Sequence, residues 1–235
     1  VTSMRSMFGL TGKKKLAILN LGEKFNTSKV VAMDDMFYGM EALEQLNLGE
    51  KFDTSKVVTM QSMFENTGYY GMTSLDLGVK FDTSNVTNMK SMFCDFAKNI
   101  ITLDLGDKFY TTKVIYMSNM FNGTGSTAMT SLDLGPAFTK IASTNTDMFT
   151  DTGKNGEITI YASEQIYKDK NNFKLNTDAD ITDTTKLINY TRGTINPKYR
   201  TEWAKESSKI TIDSTDLSKS TISITLRGRT NTEAG

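Results

Sequence analysis

The chain repeats itself, and that restricts its fold more than anything else in it. Met-x-x-Met-Phe closes at Phe8, Phe37, Phe64, Phe93 and Phe121, and a worn copy closes at Phe149. Successive closures lie 29, 27, 29, 28 and 28 residues apart. A second signature, Leu-x-Leu-Gly, keeps the same beat at Leu19/Leu21, Leu46/Leu48, Leu75/Leu77, Leu103/Leu105 and Leu132/Leu134, and Ile158/Ile160 continue it in altered form. A third anchor follows four residues after each second leucine, at Phe25, Phe52, Phe81, Phe109 and Phe138. A unit this small cannot bury its apolar side alone, so it must stack on its neighbours. Residues 1–161 are read as such an array.

One repeat suggests how the stack is built. In Met72–Gly78 ("MTSLDLG") apolar and polar residues alternate around Leu75 and Leu77, which predicts a short strand with one buried face. Gly78 lets the chain leave the strand, and Phe81 returns to the interior. Asp82–Val86 ("DTSNV") places Asp, Thr and Ser before an apolar-periodic segment, an N-cap signal. Val86, Met89, Met92 and Phe93 then fall on one face of a short helix. The paired methionines are therefore core, where unbranched thioethers fill irregular gaps. The expected fold is an α/β solenoid: a right-handed array of repeats 27–29 residues long, each a short strand plus a short helix.

Composition excludes several kinds of function. Lys+Arg and Asp+Glu number 27 each, so the net charge of zero gives no electrostatic footprint for nucleic acid or an anionic membrane. No apolar run is long enough to span a bilayer, and no signal-peptide core is present. The chain begins inside a repeat, so its true start is expected to lie further upstream, with room there for a leader. Histidine is absent, which removes the usual general base and imidazole metal ligands. Cys94 stands alone, so no disulfide or thiolate zinc site forms within the chain. No catalytic activity and no cofactor are expected.

Beyond the array, Ile158–Tyr161 predicts one more strand, followed by a polar, helix-like stretch suited to cover the end of the core. Residues 162–208 are read as a cap or linker. Residues 209–235 alternate apolar and polar at Ile210/Ile212 and Ile222/Ile224/Leu226, which predicts two strands, the start of a truncated immunoglobulin-like module or a piece packed on the cap.

The string "LDLGVKFDTSNVTNMKSMF" (Leu75–Phe93) resembles the 26-residue repeat of bacterial surface proteins grouped as BspA-like leucine-rich repeats. The hallmark Phe-Asp-Thr-Ser-x-Val-Thr-x-Met-x-x-Met-Phe is met almost fully by Phe81–Phe93 and by Phe52–Phe64. The sequence departs from an ordinary leucine-rich repeat where Asn is usual, placing Lys24, Lys51, Lys80 and Lys108 there, and its repeats are slightly longer. The resemblance implies an extracellular protein on a bacterial cell surface that binds a protein or cell-surface ligand in adhesion. A structural spacer, or the recognition arm of an enzyme lying elsewhere, is the alternative.

Two candidate surfaces follow. Asp76, Asp104 and Asp133, between the paired leucines, would stand in a row on successive strands and offer carboxylates to a cationic partner or calcium. The solvated alternative has neighbouring lysines balancing them. Tyr69 and Tyr70, with Tyr38 and Phe96 on equivalent loops, would offer aromatic anchors, or merely cover the edge of the stack.

Overall fold

The computed structural model describes residues 1–155, 158–168 and 186–189, all within the first of two units, Val1–Arg192. The two strands expected in 209–235 lie outside the described residues, as does most of 162–208.

The Met-x-x-Met-Phe segments are not helices. In each, the residue before the second methionine has positive φ: Ser6, Asp35, Ser62, Ser91, Asn119 and Asp147 lie between 51° and 57°. A right-handed helix needs φ near −63° throughout, so one such residue ends it. The backbone instead runs as successive tight turns. Met36 and Tyr38 donate N–H groups to the carbonyls of Met33 and Asp35, three residues back. The alternate N–H groups, of Met33, Asp35, Phe37 and Gly39, donate across to Thr59, Gln61, Met63 and Glu65 of the next repeat. The same pattern joins Met60, Ser62, Phe64 and Asn66 to the fourth copy, and so on through Gly123. Parallel bridges run through the ribbon at Ser3, Ala32, Thr59, Asn88, Tyr116 and Thr144.

The side chains explain the opening pattern. Phe8, Phe37, Phe64, Phe93, Phe121 and Phe149 stack in one column, with centroids 5.3–5.7 Å apart and planes within 10° of parallel. That is the offset-stacked range for aromatic pairs. The paired methionines of the second to fifth copies are fully buried beside it.

The Asp-Thr-Ser phrase also does something other than cap a helix. Buried Thr27, Thr54 and Thr83 donate hydroxyls at 2.7–2.8 Å to the carbonyls of Asp53, Asp82 and Tyr110 in the next repeat. Asp53 and Asp82 return N–H bonds of 2.7 Å to Thr27 and Thr54. The carboxylates of Asp53 and Asp82 accept from the N–H of Ser55 and Ser84, two residues on, closing Asx turns.

The strands are short: β1 (Ile18–Asn20), β2 (Gln45–Asn47), β3 (Thr102–Asp104), β4 (Ser131–Asp133), β5 (Thr159–Ala162) and β6 (Lys186–Asn189). One helix, α1 (Glu164–Lys168), is present among the described residues. The strands form two parallel sheets, β1-β2 and β3-β4-β5-β6. In register, Leu19 pairs with Leu46, Leu103 with Leu132, and Leu132 in turn with Ile160. Leu75–Leu77, the expected strand of the third repeat, joins neither sheet. The expected α/β solenoid is therefore corrected twice. Among the described residues no repeat contains a helix, and the strand column is broken rather than continuous. The described residues form a stack of turns and short strands.

Candidate binding groove

The residue between the paired leucines is committed to its own turn. Asn20, Asn47, Asp76, Asp104 and Asp133 each accept, at 2.9 Å, the N–H of the glycine two residues on. Those glycines have φ of 72–83°, a conformation L side chains rarely adopt. The three aspartates expected in a row are unequally placed: Asp76 is exposed, Asp104 half-buried and Asp133 only 2% exposed. Among the described residues no three carboxylates or thiols converge where a metal ion could sit.

Tyr69 and Tyr70 meet edge to face at 5.0 Å, and the Lys98 ammonium lies 5.0 and 5.2 Å from their ring centres. Tyr70 is 58% exposed, so the pair forms a surface cluster of two rings and a cation. Of their loop companions, Phe96 is fully buried against Phe64 and Phe93, and Tyr38 is half-buried.

The break in the strand column opens a feature that sequence reasoning missed. Leu21, Leu105 and Leu134 donate their N–H groups to Asn47, Asp133 and Tyr161 of the following repeat at 2.9–3.0 Å. The equivalent N–H groups of Leu48 and Leu77 make no such bond. A Cβ added to Gly49 or Gly135 would come within 2.2 Å of the Gly22 or Gly106 carbonyl, whereas one on Gly78 or Gly106 would meet nothing within 4 Å. The third repeat thus stands away from both neighbours along this edge. Its flanks remain tied to the second repeat, through Tyr70 N–H to the Glu41 carbonyl (3.1 Å) and Thr54 N–H to the Lys80 carbonyl (3.2 Å).

Between these ties lies a groove of about 800 Å³. Leu46, Leu48, Phe52 and Leu77 line its floor. Glu23, Glu50, Asp76 and Lys80 are exposed on its lining, three carboxylates to one ammonium. Val79 also lines it and is 85% exposed, at the position that holds Glu23, Glu50 and Asp107 in three other repeats and Pro136 in the fifth. That substitution is the sequence signal that could have pointed here. Asp76 is the one expected site residue that the groove includes; Tyr69, Tyr70, Asp104 and Asp133 are not part of its lining.

A separate column of carboxylates runs along the turn ribbon. Burial raises the Glu65 carboxyl above its ordinary value; the Ser62 hydroxyl partly offsets this, and Asp35 and Asp95 add repulsion. Burial likewise raises Asp35, with Asp34 adding, and Asp95, with Asp151 adding. Half-buried Cys94 is pushed up to about 12 by burial first and then by Asp95 and Glu65. It is therefore a protonated, unreactive thiol at neutral pH.

Among the described residues no helix is long and apolar enough to cross a membrane. No curated protein and no solved structure matches the chain at a significant level. The family described as Mycoplasma protein of unknown function, DUF285, matches residues 1–100 and again residues 69–184, and the chain belongs to that family.

Proposed function

We propose that this chain is a protein-binding module exposed on a bacterial cell surface, acting in adhesion to proteins of another cell. The groove carries this reading. Its volume of about 800 Å³ and apolar floor with a charged rim suit recognition of a partner segment. The sequence likeness to bacterial surface repeats supports the location. The repeat motifs are consumed by stacking, which leaves the chain the role of a scaffold rather than that of an enzyme.

The reading is tested in two steps. Protease treatment of intact cells should remove the protein, and beads coated with the purified chain should adhere to target cells. Protein fully shielded in intact cells would overturn the location. Beads that adhere no better than albumin-coated controls, across host and bacterial cell types, would favour a spacer and overturn the binding role.

A further inference from the structure

We propose that the groove takes an extended peptide bearing basic side chains, which adds as a strand to the open edge of β2. This deepens the binding reading above and rests on it. Strands in parallel pairing use alternate residues toward each neighbour. Gln45 and Asn47 are turned toward β1: Gln45 N–H donates to the Ala17 carbonyl at 3.0 Å, and the Asn47 carbonyl accepts from Leu21 N–H at 2.9 Å. Leu46 therefore turns its N–H and carbonyl to the opposite side, toward the detached third repeat. No backbone hydrogen bond joins residues 45–49 to residues 73–78. An open edge of this kind is a template for another strand.

The rim sets the charge of the occupant. Glu23, Glu50 and Asp76 outnumber Lys80, and Lys24 and Lys51 lie outside the lining. A basic segment is favoured there and an acidic one repelled. The floor and the exposed Val79 call for apolar residues on the alternate positions, because successive side chains of a strand point to opposite faces. The occupant is thus an extended segment alternating apolar and basic residues. The ties at Tyr70–Glu41 and Thr54–Lys80 bound its length.

The test uses the full 235-residue chain and a fluorescein-labelled hexapeptide, Val-Lys-Val-Lys-Val-Lys, followed by fluorescence anisotropy. Saturable binding is expected, with Val-Glu-Val-Glu-Val-Glu at least about tenfold weaker, the scale of two exposed ion pairs lost. The double variant Glu50→Gln/Asp76→Asn should weaken the lysine peptide about tenfold. Its asparagine keeps the turn bond that Asn20 and Asn47 already make, so the stack stays intact. N-methylation of the peptide at alternate amides should abolish binding while leaving its charge unchanged. Absence of binding by the lysine peptide, undiminished binding of the N-methylated peptide, or undiminished binding to the double variant would each overturn the proposal. A chain whose beads still adhere to cells but which ignores the peptide sinks this inference and leaves the binding role standing. A chain that takes the peptide but adheres to nothing does the reverse.

Discussion

Ser91 separates a turn ribbon from a helix at the level of one residue. Its φ is 54°, where an L side chain is strained and glycine is not. Ser91→Gly should therefore stabilise the protein by about 0.5–1 kcal/mol, although glycine inside a helix would cost a similar amount. Ser91→Val should destabilise it, because a β-branched residue tolerates positive φ poorly. Denaturant unfolding of the two variants gives opposite signs on this account; the reverse order would restore the helix. Thr83 offers a second residue-scale test. Its buried hydroxyl holds the Tyr110 carbonyl at 2.7 Å, so Thr83→Val should cost about 1–3 kcal/mol, the scale of a buried polar group left unpartnered. An unchanged midpoint would show that the threonine column contributes nothing to the stack.

At the scale of the element, the core was legible and the backbone was not. Met89, Met92 and Phe93 recur at a spacing that a helix puts on one face, and all three are fully buried. Turns of three-residue reach place the same residues on the same side, so periodicity alone cannot distinguish the two. What distinguishes them is Ser, Asp or Asn before each second methionine, the position that takes positive φ. The ribbon also carries a pH signature. Asp35, Glu65 and Asp95 have folded pKa values raised above the ordinary 3.8 and 4.5, so the folded state holds their protons more tightly than the unfolded chain does. Their stabilising contribution is complete below the ordinary values and is lost as pH rises through the raised ones. Asp53 runs the other way. Burial alone would raise it, but hydrogen bonds from Ser55 and the charges of Lys80 and Lys108 outweigh that and lower it. Its contribution is present above 3.8 and lost only as pH falls further, so the two windows do not overlap. Thermal unfolding should therefore show stability rising as pH falls from 7 toward the ordinary carboxylate values. Glu65→Gln/Asp95→Asn should flatten that rise; a variant as pH-dependent as the parent would refute the ribbon carboxylates as its source.

Across the whole molecule, the period and the three ladder positions were read from sequence because stacking forces equivalent residues into columns. The break at the third repeat was hidden, since Leu75 and Leu77 look like every other leucine pair. Val79 marks it, an exposed apolar residue where three of the other four repeats put an acid and the fifth puts Pro136. The candidate site was accordingly half legible: Asp76 was singled out for its charge, while the groove beside it depends on a detachment that no motif encodes. Backbone hydrogen exchange reads that detachment amide by amide. Leu21, Leu48, Leu77, Leu105 and Leu134 are the same residue at the same position of five repeats. Leu21, Leu105 and Leu134 amides, bonded to the next repeat, should exchange slowly, whereas those of Leu48 and Leu77 should exchange fast. Equal protection at all five leucines would mean that the ladder is continuous and that there is no groove.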